Sequence, residues 1–195
     1  ELKFLKSQYH PHFLFNALNT VYFQIDESNK APRRTLEMIS ELLRYQLYGG
    51  NQKVSILQEI DYLKTYIALR RLRMSERLRL RVEFPPELNE LNIYPLLFLP
   101  LVENAFTYVG GDYQLDIIMK WENNRISLFI RNSIPELSAE DEALRKSVDK
   151  RQRKGIGLVN LRRRLSLLYP NKHRLETRKE ETEFVAELMI EIEDI

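Results

Sequence analysis

Apolar side chains recur at Leu14, Leu18, Val21 and Ile25, a spacing that places them on one face of a helix. Pro11 interrupts the pattern on its N-terminal side, so a kink or a helix start is expected there. Asp26–Pro32 reads as a turn. A second helix follows, with Leu36, Ile39, Leu43 and Leu47 along one side and Met38, Leu42 and Tyr45 as a second strip. Two adjoining helices cannot bury both strips between themselves. Pairing with a second such hairpin, as a four-helix dimer, would bury them; packing on the rest of this chain is the alternative.

Gly49-Gly50-Asn51 then breaks the chain. Ser55 with Gln58 three residues on is a capping box, and the helix it opens carries Ile56, Ile60, Leu63 and Ile67 and ends near Met74. From Arg77 the period changes to two. Leu78, Leu80, Val82 and Phe84 alternate with charged residues, as in a half-buried strand that Pro85-Pro86 ends. A helix is expected over Tyr94–Tyr108, then a turn at Gly110-Gly111-Asp112. Leu115–Trp121 and Arg125–Asn132 alternate on either side of Glu122-Asn123-Asn124 and read as a hairpin. Ser133–Lys154 is charged and free of glycine, and is expected as a mobile connection or a weak surface helix. Leu158, Leu161, Leu165 and Leu168 mark a helix that Tyr169-Pro170-Asn171 stops. Two strands finish the chain, the last with Phe184, Ala186, Leu188, Ile190 and Ile192 on one face. The expected division is therefore a helical segment, 1–50, and an α+β layer of helices on one sheet, 53–195.

Composition narrows the function classes. Thirty basic against twenty-eight acidic side chains in 195 residues leave a net charge of +2, which is not the basic excess of a nucleic-acid binder. The absence of cysteine excludes disulfides, thiolate metal sites and cysteine nucleophiles. No apolar run reaches the roughly 20 residues a membrane helix needs. The chain opens on Glu1 rather than methionine, and an upstream segment, such as a membrane anchor or a sensor, is expected.

Three motifs can carry chemistry. In Gln8-Tyr9-His10-Pro11-His12-Phe13-Leu14-Phe15-Asn16 an imidazole and an amide fall one helical turn apart on one face. An exposed imidazole with a free nitrogen is a phosphoryl acceptor, and the Asn16 amide can fix its tautomer; the residues alone leave His10 and His12 both open. In Leu99-Pro100-Leu101-Val102-Glu103-Asn104-Ala105 the asparagine oxygen suits magnesium, and Glu103 can orient or deprotonate an attacking group. In Gly155-Ile156-Gly157-Leu158 two glycines enter a helix, where the backbone can approach a phosphate and free N–H groups face it.

In this order the three motifs resemble the LytS/YesM type of sensor histidine kinase, with its ATP-binding domain of the GHKL superfamily, and the likeness runs through Leu42–Tyr48, Tyr66–Met74, Leu97–Ala105 and Gly155–Pro170. The resemblance implies a helical hairpin forming a dimeric four-helix bundle, followed by a Bergerat-type α/β sandwich with a mixed, largely antiparallel sheet. It selects His12 as phosphoacceptor with Asn16 beside it, Glu103 as the catalytic glutamate, Asn104 as magnesium ligand, and Gly155, Gly157 and Leu158 as the segment at the phosphates. It implies ATP and Mg2+ as cofactors, autophosphorylation of a homodimer, phosphotransfer to a response-regulator aspartate, and a cytoplasmic domain of a bacterial inner-membrane protein attached only through upstream sequence.

The sequence departs from that pattern at three places. Arg131-Asn132-Ser133-Ile134-Pro135 stands where the superfamily has Asp-x-Gly-x-Gly, so Asn132 would have to accept the adenine amino hydrogen bond. Phe13 follows the histidine where commoner histidine kinases have an acid, and Tyr108 stands where the family often has histidine. Alternatives are a degenerate kinase acting as a dimeric scaffold or phosphatase for a response regulator, and a GHKL ATPase that is not a kinase.

Overall fold

The structure, a computed structural model, describes residues 11–48, 52–86, 88, 91–136 and 156–192. Helix α1 (Pro11–Gln24) and helix α2 (Lys30–Tyr48) form the expected hairpin. The Asp26 carboxylate closes the turn between them by accepting from the Ser28 backbone N–H at 2.8 Å. Arg33 then donates twice to the Ile25 carbonyl, at 2.8 and 3.1 Å, with its guanidinium over the Tyr22 ring. The turn is shorter than the sequence suggested. Pro32 lies inside the first turn of α2, where its missing N–H costs nothing. Helix α1 buries no residue, and Phe13 and Phe23 are about three-quarters exposed, at 74% and 79%.

Strand β1 (Val54–Ser55) leads into α3 (Ile56–Arg71) through the predicted capping box: Ser55 accepts from Leu57 N–H, and the Ser55 N–H donates to Gln58. After α3 come β2 (Arg79–Glu83), β3 (Asn92–Ile93) and α4 (Leu99–Tyr108). The helix expected from Tyr94 thus starts five residues late. Leu96 has φ 58°, the left-handed region a helix cannot use, and the Leu96 N–H is taken by a carboxylate rather than by a helical carbonyl.

Strands β4 (Gln114–Glu122) and β5 (Arg125–Ser133) are the predicted hairpin. Its two-residue turn, Asn123-Asn124, has positive φ at both positions, which asparagine tolerates and which matches strand twist. Helix α5 (Ile156–Leu168) and strands β6 (His173–Lys179) and β7 (Glu183–Glu191) complete the chain. The five-stranded sheet runs β2-β4-β5-β7-β6, with β2 parallel to β4 and every other pair antiparallel. Returning parallel requires a crossover, and the path through β3 and α4 supplies it. The class is α+β with a mixed, mostly antiparallel sheet.

Register places Ile117, Ile130 and Ala186 side by side, with Met119, Leu128 and Leu188 in the next row. These residues are buried together with Leu97, Phe98, Leu101 and Val102 around the start of α4 and with Leu161 and Leu165 of α5. Each such side chain removed from water contributes roughly 1.5–3 kcal/mol. Leu42 of α2 is buried in this same cluster and Tyr45 packs against it, so the hairpin rests on α3. The stretches 49–51 and 137–155, where a chain break and a surface connection were expected, lie outside the described residues.

Candidate functional site

His12 sits in the first turn of α1 and is exposed. The Asn16 amide nitrogen lies 3.2 Å from His12 Nδ1, so the predicted one-turn pairing is formed. An amide N–H donated to Nδ1 leaves the ring proton on Nε2. Turning the Asn16 amide over offers its oxygen to an Nδ1–H instead, and that frees the Nε2 lone pair toward solvent. The Asn16 amide can therefore pair with either tautomer of this exposed imidazole. His10 lies outside the described residues.

Glu103 and Asn104 occupy the second turn of α4, with Leu101, Val102, Ala105 and Phe106 buried on its other sides. The Glu103 carboxyl is pushed above its ordinary value by desolvation, and Arg70 of α3 opposes the shift. A carboxylate so raised is a stronger base. Asn104 is half-buried, and its side chain makes no hydrogen bond with another described residue, so its oxygen is available. Tyr108 closes the helix beside them.

Asn132 is wholly buried on the helix-covered face of β5, between Leu115 of β4 and Phe184 of β7. Its Nδ2 donates to the Ser133 carbonyl at 3.2 Å, while its Oδ1 has no partner at all. An unpaired buried acceptor costs about 1–3 kcal/mol. The amide cannot relieve this by turning over, because Oδ1 would then face the Ser133 carbonyl oxygen. Neighbouring Arg131 does not help. It reaches across β4–β5 and donates twice to Asp116, at 2.7 and 3.0 Å.

The unusual Ser133-Ile134-Pro135 segment is fastened down. Ser133 Oγ donates to the Gly110 carbonyl at 2.6 Å, and Gly110 N–H donates back to the Ser133 carbonyl at 3.0 Å. Ile134 N–H reaches the Thr182 carbonyl at 2.8 Å. A Cβ on Gly110 would stand 2.9 Å from Pro135 Cδ, and Gly111 has φ +60°. Gly110 is thus required by the Pro135 ring, and Gly111 by its left-handed backbone and by the Ile134 carbonyl oxygen, 3.0 Å from where a Cβ would stand.

Gly157 is different. A Cβ there would meet nothing within 4 Å, so packing within the chain gives no reason for glycine. Gly157 and Leu158 start α5, which packs on α4, as α4 packs on β5. Asn104, Asn132 and Gly157 therefore come from three elements joined through α4, which packs on both β5 and α5. Gly155 lies outside the described residues, and no described contact joins His12 to Glu103 or Asn104.

The comparisons with known proteins bear on the same two halves. Residues 1–78 match the sequence family described as Histidine kinase. That match takes in 78 of the 195 residues. Among curated proteins it is 28% identical over 180 residues to the sensor protein kinase HptS of Staphylococcus aureus, an alignment covering 90% of this chain. It spans about a third, 35%, of that relative's length. Solved structures overlay loosely: the Acinetobacter baumannii histidine kinase AdeS at 13% identity and TM-score 0.46, covering 95% of this chain and 96% of the other, and the mycobacterial sensor histidine kinase MprB at 12% and 0.48, covering 74% and 99%.

One buried carboxylate within the fold is not among the residues the motifs pointed to. Glu59, on the apolar side of α3, is completely enclosed. It falls three residues after Ile56 and four before Leu63, so a carboxylate interrupting the apolar stripe was the available signal. No helix of the described residues is long and apolar enough to cross a membrane. Among them no group of three or more His, Asp or Glu side chains is placed to hold a metal.

Proposed function

We propose that this chain is the transmitter portion of a two-component sensor histidine kinase: it binds ATP with magnesium, phosphorylates His12, and passes the phosphoryl group to a response-regulator aspartate. The observation that carries the nucleotide half is Asn132. A buried acceptor without a partner, locked in orientation by Ser133, fits a ligand that brings an N–H donor. The adenine 6-amino group is such a donor. Guanine presents a carbonyl oxygen at the same place and would be repelled.

The other residues have roles that follow from their positions. Asn104 would hold magnesium through its oxygen, and such an ion needs only one or two protein ligands besides phosphate oxygens. Magnesium, when bound, would neutralise charge on the phosphates. Gly157 and the first N–H groups of α5, with Gly155 and Leu158 beside them, would receive the phosphate tail. Glu103 would orient the imidazole or take its proton. His12 would attack the γ-phosphorus as the bond to the ADP oxygen breaks, giving phosphohistidine and ADP. Positioning supplies most of the catalysis in such transfers.

The division into a phosphotransfer hairpin, 1–50, and a catalytic domain, 53–195, belongs to this reading. So does the homodimer, in which the bare apolar side of α1 would pair with a second copy. A cytoplasmic position beneath a membrane-anchored upstream region completes the proposal.

The test is incubation with γ-labelled ATP and magnesium. Acid-labile, base-stable label that vanishes in His12→Ala supports the kinase. Label that persists there and vanishes in His10→Ala moves the acceptor. ATP hydrolysis with no labelled protein would point to a non-kinase ATPase, and no nucleotide binding by a folded dimer would point to a scaffold.

A further inference from the structure

Glu59 does more than fill space. Its Oε2 accepts from the Tyr45 hydroxyl of α2 at 2.7 Å and from the Leu96 N–H at 2.9 Å. Its Oε1 has no partner at hydrogen-bond distance and feels only the longer-range pull of the Leu97 and Phe98 N–H groups. These three N–H groups belong to the loop that enters α4. One carboxylate thus touches both the helix hairpin that carries His12 and the loop that places Glu103 and Asn104.

The same loop is gripped from its other side. Arg164 of α5 donates to the Pro95 carbonyl at 2.7 Å and the Leu96 carbonyl at 3.4 Å. The Tyr169 hydroxyl accepts from Tyr94 N–H at 3.2 Å. Leu96, held at φ 58°, is in a conformation that a leucine leaves unless its neighbours hold it there. Around the carboxylate, Tyr45 stacks on Tyr62 with ring centres 4.7 Å apart, and Gln46 donates to the Tyr62 hydroxyl at 2.6 Å. Tyr62 in turn lies in the field of Glu103.

We propose that Glu59 is a positioning residue that ties the set of the α1–α2 hairpin, through Tyr45, to the placement of the Leu96–Phe98 loop and hence of Glu103 and Asn104 on α4. A signal that rotates or slides α2 moves the Tyr45 hydroxyl, and the carboxylate passes the change to the loop. The kinetic part of this claim rests on the kinase reading; the structural part does not.

Tyr45→Phe is the test, because it keeps the ring on Tyr62 and removes one hydroxyl. Amide hydrogen exchange on the full chain without nucleotide should quicken at Leu96–Phe98 and in the first turn of α4. Exchange in β7 should be unchanged, which shows that the fold persists. Unchanged exchange at Leu96–Phe98 overturns the proposal. A second readout uses MgATP. Tyr45→Phe should lower the maximal rate of His12 labelling about tenfold, the size of one lost buried hydrogen bond, with little change in ATP affinity. Combined with Glu59→Met, which removes the acceptor itself, Tyr45→Phe should add nothing further to the exchange effect, since both cut the same tie; additive effects would contradict it. If the wild type takes no label, the kinase reading fails by itself, and the exchange data still decide the tie.

Discussion

The lone Oδ1 of Asn132 makes a prediction that separates stability from function. In Asn132→Val both polar atoms go and a strand-favouring residue takes their place. Removing a buried acceptor without a partner recovers about 1–3 kcal/mol, and losing the Nδ2 hydrogen bond forfeits about 1 kcal/mol. The Ser133 carbonyl is not orphaned by the change, since Gly110 N–H still donates to it at 3.0 Å. The balance lies between neutral and about 2 kcal/mol stabilising. For a chain of this length each kcal/mol moves Tm by about 2–4 °C. Thermal unfolding with and without MgATP reads both quantities. At one hundred times Kd the ligand should stabilise wild type by about 2.7 kcal/mol, a Tm rise of about 5–10 °C. Asn132→Val should melt at or above the unliganded wild type and show little of that rise. A variant that melts well below wild type and keeps the full ATP effect would refute the reasoning, because Oδ1 would then be satisfied within the chain and idle toward nucleotide.

Gly157→Ala should leave stability unchanged or raise it by up to about 1 kcal/mol, from helix propensity, while weakening ATP binding in a titration. Gly110→Ala should lower stability by about 1–3 kcal/mol through its clash with the Pro135 ring, and Pro135→Ala in the same chain should restore most of the loss on chemical denaturation. Burial pushes the Glu59 carboxyl above its ordinary value near 4.5, with Tyr45 and the Leu96–Phe98 N–H groups opposing. The folded chain then holds this proton more tightly than the unfolded chain. The stability due to that proton is complete below pH 4.5 and is lost as pH rises through the raised value. The Tm advantage of wild type over Glu59→Gln should therefore shrink as pH rises from 4.5; an advantage that grows would contradict the assignment.

Local signals carried much of the architecture. Ser55 and Gln58 were legible as a capping box because the motif is contained in four residues. The β4–β5 hairpin was legible because period-two alternation flanks Asn123-Asn124, whose φ values suit a tight turn. The contact between His12 and Asn16 was legible because a helix brings residues four apart together whatever else the chain does. What failed was non-local. Tyr94–Phe98 was expected as helix, yet its Leu96 N–H is held by Glu59, its Tyr94 N–H by Tyr169, and its Pro95 and Leu96 carbonyls by Arg164, sixty-eight or more residues away from them. The parallel pairing of β2 with β4 depends on the crossover, which no local pattern encodes. Asn132 was legible as a departure from a family pattern. That its oxygen is buried and without a partner needed the neighbours on both sides.

The central claim is that a nucleotide held at Asn104, Asn132 and Gly157 delivers its γ-phosphoryl group to His12. Peptide mapping at neutral to alkaline pH, after incubation of the full chain with MgATP, tests it most directly. The account predicts one phosphoryl mass on the peptide that carries His12, localised to that imidazole and absent after Asn132→Val. A phosphoryl group on His10, on His173 or on a carboxylate would contradict it, as would an unmodified His12 in a chain that demonstrably binds ATP.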